Sequence, residues 1–406
     1  MANPDPLKAN TAMKTEFQLS AMLDKKFENG MTGRENLEKM KEILTGKGAW
    51  PADKESVPEE WEEALLMRFF IGFKKDSDNA AIAFKDMLEW RKKHDVNAIR
   101  KQLLGGLLPE QFPRYTAVRR FYPLLNTGKD RNGCPIMITL TGLIDPAKLV
   151  KAVTLEEIRL YIIYEMEHKL IQLSKLTQDT GILYRALEIH DLKGLGMHHL
   201  AAGPIQLLRK VVREVSANYV EMAEKVFILN CPFATVVRGV LKQVVPARSQ
   251  HKLAVLGEVG DYKPVLQAHA ELSEYHDCVF GGALPEGLED GDDESSSWPR
   301  ATVAARDKKV LQQNVSEGQT LMWSCCPEAM DVGLDIKFVG AGGTTDVIFN
   351  ESERVSTLKR GSFLCLLDGV VHMTLDNTFS YLKGKVVMYN FELLAHELTV
   401  DKGAAE

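Results

Sequence analysis

Several features are scarce or missing in this sequence. Only six cysteines occur in 406 residues, and none forms a Cys-x-x-Cys pair. That pattern indicates reduced thiols in a reducing compartment, not a disulfide framework or a zinc site. No apolar run reaches the roughly 18 residues that a membrane-spanning helix needs, and the first residues lack the apolar core of a signal peptide. We therefore expect a cytoplasmic protein that meets membranes peripherally.

Motifs of familiar catalytic chemistry are missing too. The chain has no Gly-x-Ser-x-Gly nucleophile motif and no Gly-rich phosphate loop ending in Lys-Ser/Thr. A dinucleotide fingerprint would start at Gly194, but His199 stands at its third glycine, so a tight turn is the better interpretation. His190 and Asp191 remain as an acid–base alternative. We expect no cofactor, no metal and no enzymatic activity.

Composition and charge narrow the classes of protein to which this chain could belong. The chain is 45% hydrophobic and 26% charged, values typical of globular proteins, and its length predicts two or three domains. The net charge of -6 argues against a nucleic-acid partner, because such binding depends on clustered Lys and Arg.

The hydrophobic patterns predict several regions. Residues 1–55 are polar and predict a loosely attached arm. Residues 56–110 predict a helical bundle, because apolar residues recur every three or four positions. Residues 111–282 alternate short apolar runs with helical stretches, which is typical of a largely parallel sheet with helical crossovers. The apolar runs begin at Pro135, Ala186, Lys225 and Lys252.

The last part of the chain has a different period. Residues 283–299 are acidic and rich in Ser and Gly, and predict a linker. Residues 300–400 predict a β-sandwich, because apolar residues alternate with polar ones. The alternating sets are Val332, Leu334, Ile336 and Phe338; Val371, Met373 and Leu375; and Val387, Tyr389, Phe391 and Leu393.

Residues 233–245 form an amphipathic pattern that has two interpretations. One is a surface helix lying on the sheet. The other is a lid that closes a cavity with its apolar side and turns Arg238 and Lys242 toward phospholipid headgroups. The apolar side contains Val236, Val237, Val240, Leu241, Val244 and Val245.

The order of motifs over residues 60–282 resembles the CRAL-TRIO family of lipid-binding and lipid-transfer proteins. The matching segments are 65–70 (LLMRFF), 90–92 (WRK), 130–135 (DRNGCP), 190–196 (HDLKGLG), 218–221 (NYVE), 227–233 (FILNCPF), 252–257 (KLAVLG) and 280–282 (FGG). Residues 330–334 and 375–385 resemble a GOLD domain. These resemblances imply an α/β fold in which a mostly parallel sheet and helices enclose a hydrophobic pocket, followed by a jelly-roll-like sandwich.

The resemblance also implies a binding site. The residues expected to line the pocket are Met137, Thr139, Ile158, Ile162, Leu187, Ile189, Phe227, Val236, Val240 and Val244. Glu221, Ser249 and Lys252 match three positions that hold a phosphoinositide headgroup in family members, although Glu221 and Lys252 also suit a structural ion pair. Phe73 occupies the position of the fourth, an arginine. This departure removes a forked phosphate donor and counts against phosphatidylinositol.

We therefore expect a protein that binds one phospholipid or other hydrophobic small molecule and transfers it between membranes, contacting each surface transiently. Burying apolar ligand surface contributes roughly 25 cal/mol per Å². The gate helix that opens the pocket is expected to use Phe233, Val237, Leu241 and Val245. Alternatives are a retinoid, tocopherol or sterol-like ligand, which Phe73 favours, and a lipid-sensing adaptor or trafficking scaffold that binds a protein partner through the GOLD domain.

Overall fold

The structure, a computed structural model, describes residues 17–195, 202–231, 247–288, 297–343, 345–350 and 354–395. The chain divides into two compact units: residues 1–146 with 156–289, and residues 147–155 with 290–406. Within the described part of the chain, no helix is long and apolar enough to cross a membrane. All six cysteines are free thiols, and all but Cys231 are buried.

The α-helices in the described ranges are α1 (Leu19–Asp24), α2 (Gly33–Gly46), α3 (Glu62–Gly72), α4 (Ser77–Lys93), α5 (Val96–Leu104), α6 (Tyr115–Phe121), α7 (Pro146–Ala152), α8 (Leu155–Thr180), α9 (Ala202–Ala217) and α10 (Val259–His269). Short 3-10 turns connect several of them. All except α7 belong to the first unit, which begins with the helical bundle that the apolar spacing predicts.

Helix α2 corrects the prediction for the N-terminal region. Thr32 caps it through a reciprocal capping box with Glu35, which satisfies two backbone donors at the helix start. Its apolar residues Leu37, Met40 and Leu44 recur at spacings of three and four and are all buried. The prediction of a loosely attached arm is therefore wrong for α2, because this segment buries its own apolar stripe.

A buried ion cluster joins the N-terminal helices to α8. Glu167, in the middle of α8, accepts from Arg91 NH1 at 2.7 Å and from Arg100 Nε at 2.7 Å. The Tyr219 hydroxyl donates to the same carboxylate at 2.8 Å. All three charged side chains are almost fully buried, so this cluster fixes α4 and α5 against α8 by charge-assisted hydrogen bonds.

The first unit contains one five-stranded sheet, which confirms the predicted mostly parallel arrangement. Its strands are β1 (Leu124–Lys129), β2 (Pro135–Thr139), β3 (Ala186–Asp191), β4 (Ala223–Leu229) and β5 (Leu253–Val255), in that spatial order. Only the β1–β2 pair is antiparallel. Strand β3 is therefore central, with two strands on each side.

The second unit is a β-sandwich, as the alternating pattern predicts. Its strands are β6 (Arg300–Val303), β7 (Lys308–Val315), β8 (Gln319–Pro327), β9 (Gly333–Gly340), β10 (Thr345–Asn350), β11 (Lys359–Leu364), β12 (Gly369–Asp376) and β13 (Lys385–Ala395). They form antiparallel sheets in the orders β10-β9-β12-β7 and β11-β8-β13-β6. Ile336, Met373 and Val387 lie in the core between the sheets.

Helix α7 belongs to this second unit although it precedes α8 in the chain. The carbonyl of Val150 accepts from the Leu358 amide at 3.0 Å. Arg360 NH2 donates to the carbonyl of Ala152 at 3.3 Å. These bonds satisfy two of the carbonyls that a helix leaves without partners at its C-terminal end.

Candidate functional site

The two faces of the five-stranded sheet are different. Ile136 and Ile138 of β2 pair with Leu187 and Ile189 of β3, so these side chains lie on one face. That face forms a continuous core with Phe227 of β4 and with α10, which contributes Tyr262 and Leu266. Strand alternation therefore turns Leu187, Ile189 and Phe227, three of the predicted pocket residues, into the α10 core. Their role in a pocket stays a prediction.

We call the opposite side of the sheet the α8 face. Met137 lies beside Glu188, and Thr139 lies beside His190. Helix α8 packs on this face, because Lys169 Nζ lies 2.6 Å from Glu188 Oε1. Ile158 and Ile162 precede Lys169 on the same stripe of α8, at spacings of four and seven. The structure thus brings four of the predicted pocket residues, Met137, Thr139, Ile158 and Ile162, to one side of the sheet.

Two polar side chains on the α8 face remain accessible to solvent although they lie on the central strand of the sheet. Glu188 lies on the central strand, yet 22% of its side-chain surface is exposed. His190, two residues further along β3, is also only half-buried. Two neighbouring polar side chains of the central strand thus stay partly accessible on the α8 face.

Electrostatics determine the protonation states of the groups on and beside the α8 face. Burial raises the pKa of Glu188, but the charge and hydrogen bond of Lys169 outweigh it, so the net shift is downward. Burial lowers the pKa of His190, and Lys169 adds to the effect while Glu188 opposes it. Burial, helped by Glu188, raises the pKa of Tyr122 to about 12. At neutral pH these residues therefore present an ion pair, a neutral imidazole and a phenol, all of which can form hydrogen bonds.

His190 and Asp191 do not form the acid–base pair that an enzyme would need. They are neighbours on β3 and point to opposite faces of the sheet. His190 Nδ1 lies 3.1 Å from Thr141 Oγ1. Asp191 is buried, and its Oδ1 accepts from the Lys193 amide and from Asn230 Nδ2, both at 2.8 Å. Asp191 therefore shapes the turn after β3.

Two of the predicted headgroup residues meet in a second cluster. Lys252 Nζ lies 2.8 Å from Glu221 Oε2 and also donates to the carbonyl of Ala223 at 2.8 Å. Arg185 joins them: its NH1 lies 2.8 Å from Glu224 Oε2. Its Nε lies 3.3 Å from Glu221 Oε2 but is not aligned for a hydrogen bond. The sequence argument missed Arg185, because its partner Glu224 lies 39 residues further along the chain and no local pattern links them.

A second arginine makes this cluster net positive. Arg68 is buried and donates to the carbonyls of Glu221 and Tyr184. Burial, together with the charge of Arg185, lowers the pKa of Arg68 to about 9. Three cations, Arg68, Arg185 and Lys252, thus face the two carboxylates of Glu221 and Glu224, an excess of one positive charge. An anionic group would compensate this excess.

The end of α3 lies against this cluster. A Cβ atom built on Gly72 would fall 2.2 Å from Val220 Cγ1, so only glycine allows the helix to approach this closely. Phe73 follows and stacks on Phe69 with ring centroids 6.2 Å apart. The aromatic ring thus packs within the helical bundle instead of contributing a cation.

Some predicted residues cannot be placed. Ser249 belongs to a 3-10 helix (Ala247–Lys252) whose backbone is described, but its side chain is not. The pocket residues Val236, Val240 and Val244 and the gate residues Phe233, Val237, Leu241 and Val245 lie outside the described residues. Their roles stay predictions.

Comparison with known proteins agrees with the architecture of the first unit. Residues 122–277 match the CRAL/TRIO domain family model. The phosphatidylinositol/phosphatidylcholine transfer protein SFH7 of Arabidopsis thaliana is 26% identical over 266 residues, which are 64% of this chain and 47% of SFH7. A CRAL-TRIO domain-containing protein of Caenorhabditis elegans is 26% identical over 243 residues, which are 56% of this chain and 32% of the C. elegans protein.

This chain therefore spans less than half the length of these relatives. Among solved structures, the crystal structure of Sfh5 aligns with 55% of this chain and 79% of the Sfh5 chain, with 16% sequence identity and a TM-score of 0.41. The resemblance of the second unit to a GOLD domain stays a prediction. The family match and the mixed sheet with its helices agree over the same residues: residues 122–277 match the CRAL/TRIO family model and have a CRAL-TRIO α/β fold.

Proposed function

We propose that the first unit binds one hydrophobic lipid along the α8 face and transfers it between membranes. The observation that carries this proposal is the accessibility of Glu188 in the middle of the sheet, which a solid core would not leave. Met137, Thr139, Ile158 and Ile162 supply walls on the same side. A lipid tail of several hundred Å² gains roughly 25 cal/mol per Å² when buried. The name of SFH7 as a lipid transfer protein supports the assignment.

Release of such a ligand requires an opening. We propose residues 233–245, directly after β4, as the gate. Their apolar side chains would cover the ligand in the closed state and enter the membrane interface in the open state. Because the interface shelters apolar surface, contact with a membrane would shift the equilibrium toward the open state.

Native mass spectrometry of the purified chain, followed by lipid extraction, tests the proposal. We expect one lipid per chain, and accelerated transfer of fluorescent lipid between vesicles. Met137→Trp, which enlarges a side chain on the α8 face, should slow transfer about tenfold, because a lost tail contact of about 1.4 kcal/mol corresponds to tenfold. Thr139→Leu is a milder filling substitution that should slow transfer less.

A matched substitution controls for indirect effects. Met322 is partly exposed on β8 of the second unit, so Met322→Trp should leave transfer unchanged. Thermal melting of each variant checks folding. The proposal would be contradicted if Met137→Trp transferred lipid at the unmodified rate. It would also be contradicted if the chain never acquired lipid from vesicles.

The positive cluster around Glu221 and Lys252 leads to a prediction about the headgroup. We propose that it contacts the phosphate of an inositol lipid, with Arg185 supplying the cation that position 73 lacks. Lys252→Met should then reduce transfer of phosphatidylinositol about tenfold relative to phosphatidylcholine. Both lipids carry a phosphate, but only phosphatidylinositol keeps a net negative charge, because choline neutralises the phosphate of phosphatidylcholine. A charge-assisted hydrogen bond to an anionic headgroup contributes about 1.5–3 kcal/mol. Competitive transfer from mixed vesicles measures this ratio.

Lys225→Met is the matched control for this ratio, because Lys225 is exposed on β4 and carries the same charge. It should leave the ratio unchanged. If Lys252→Met instead slows both lipids equally and lowers the melting temperature, the Glu221–Lys252 pair is a structural ion pair only. A retinoid, tocopherol or sterol-like ligand then becomes the better hypothesis, and lipid extraction identifies it.

An adaptor remains the second candidate function. The second unit exposes leucines at one end of the β11–β8–β13 sheet, including Leu364, Leu366 and Leu394. Exposed apolar side chains grouped in this way are typical of protein interaction surfaces. A chain that carries no lipid, while the second unit binds a protein partner, would favour this candidate.

A further inference from the structure

The loop between β12 and β13 of the second unit presents two apolar side chains to solvent. Tyr381 is 70% exposed and Leu382 is 93% exposed. Lys383 follows and is exposed as well. We call Tyr381, Leu382 and Lys383 the tip. Single exposed apolar residues are common on protein surfaces, so the tip needs support from its surroundings before it indicates a function.

The base of this loop is rigid. Asn377 is fully buried, and its Nδ2 donates to the carbonyls of Val303, Ala304 and Lys383 at 3.3, 2.9 and 3.0 Å. The Arg306 amide donates to the carbonyls of both Asn377 and Ser380. Such a network holds the loop in one conformation, so the exposed side chains of the tip are displayed without the entropy cost of ordering them on binding.

Below the tip, Phe379 anchors the loop. Lys385 Nζ lies 4.0 Å from the centroid of its ring, and the guanidinium carbon of Arg354 lies 4.4 Å from it. Lys385 also forms an ion pair with Asp331 at 2.9 Å. One aromatic side chain of the loop is therefore used for structure, while the next, Tyr381, projects into solvent.

Basic residues occur at the tip and on the strand that begins beside it in the chain. The Arg306 guanidinium carbon lies 4.6 Å from the centroid of the Tyr381 ring. Lys308 and Lys309, exposed at the start of β7, follow Arg306 after Asp307, and Lys308 pairs with Asp376 at 2.8 Å. Together with Lys383 these make four cations, against two carboxylates, Asp307 and Asp376, a local excess of two positive charges in a chain whose net charge is -6.

We propose that the tip docks the protein on a lipid bilayer with anionic headgroups. A leucine inserts at the acyl boundary, a tyrosine suits the interface because its ring is apolar and its hydroxyl polar, and Lys and Arg are attracted to anionic lipids. A stable protein partner would need about 800 Å² of surface on each side. Two protruding side chains on one loop offer far less, and they fit shallow insertion into a bilayer.

Co-sedimentation of the full chain with vesicles tests this proposal. The vesicles are phosphatidylcholine alone, or phosphatidylcholine with roughly a third phosphatidylserine. We expect about tenfold stronger binding to the anionic vesicles, decreasing as salt screens the charges. Tyr381→Ser combined with Leu382→Ser should weaken binding to anionic vesicles about tenfold, and Lys383→Glu about fivefold. Leu367→Ser, in the exposed loop after β11, is the matched control and should bind like the unmodified chain.

Three results would overturn the proposal: no binding of the unmodified chain to anionic vesicles, equal binding by the tip variants and the Leu367→Ser control, or loss of a protein complex in the tip variants without loss of vesicle binding. Lys383→Glu changes only an exposed side chain, so it tests the tip even if the double variant fails to fold. Lipid occupancy by native mass spectrometry should not change in any of these variants, which separates failure of this inference from failure of the proposed function.

Discussion

Glu167→Gln is expected to lower the free energy of unfolding of the first unit by about 3–5 kcal/mol, the usual cost of breaking a buried ion pair from one side. The substitution keeps the shape of the side chain but removes its charge. Arg91 and Arg100 would then remain buried without a carboxylate. The Tyr219 hydroxyl would also lose a charged acceptor.

Hydrogen–deuterium exchange in increasing urea measures this effect, because peptides from α4, α5 and α8 report on the first unit separately. Glu89→Gln provides the control. Glu89 is largely exposed and pairs with Lys85 four residues earlier on α4, so its loss should cost under about 0.5 kcal/mol. Similar small effects of both substitutions would contradict the structural role of Glu167.

The same cluster predicts a pH dependence. Burial raises the pKa of Glu167, but Arg91 and Arg100 lower it from its ordinary 4.5 to about 2. Because the folded-state pKa is depressed, the stabilisation is present above the unfolded pKa and is lost as the pH falls from about 4.5 toward 2. Glu167→Gln should flatten this part of the stability profile.

Phe227→Ala is expected to destabilise the first unit by about 3–5 kcal/mol without removing the lipid that we propose for the α8 face. Phe227 is buried in the α10 core with Tyr262 and Leu266, and its ring centroid lies 5.1 Å from that of His269. Truncation leaves a cavity in a packed core, which accounts for this magnitude. Lipid occupancy should persist below the melting transition, because the α8 face is unchanged.

Thermal melting and native mass spectrometry measure these two properties on the same sample. Leu272→Ala, on a half-buried 3-10 turn after α10, is an apolar truncation outside this core and should have a smaller effect on melting. If Phe227→Ala melts normally but loses its lipid, Phe227 lines the pocket and the assignment of faces is wrong.

The fold was largely predictable because its signals are local. In β9 and β12 every second side chain is buried between the sheets, so alternating apolar residues such as Leu334 and Ile336 reveal the strand and its inner face. The runs that begin at Pro135, Ala186 and Lys225 also became strands. Each apolar run is short and lies between segments with helical periodicity, so the local sequence is enough to identify it as a strand.

The faces of the central strands were not predictable in the same way. Strand β3 alternates Leu187 and Ile189 with Glu188 and His190, which suggests an apolar side for a lipid and a polar side for water. Helices cover both faces of this central strand, so most of each side chain is removed from water on either face. The polar residues are stable on the α8 face because Lys169 pairs with Glu188 and Thr141 contacts His190, and those partners are known only from the fold.

The sequence analysis also missed interactions whose partners lie far apart in the chain. Glu167 meets Arg91 and Arg100, which precede it by 76 and 67 residues, and no local pattern links them. Arg185 reaches Glu224 across 39 residues. The resemblance predicted Glu221 and Lys252 because it drew on positions that belong together in a family. It could not predict Arg185, which lies outside the matched motifs.

The position of α7 has a consequence for biosynthesis. Residues 147–155 belong to the second unit, yet about 135 residues separate them from the rest of that unit in the chain. During translation α7 therefore leaves the ribosome long before Leu358 and Arg360, which donate to its terminal carbonyls. The second unit becomes complete only when the early and late segments of one polypeptide meet.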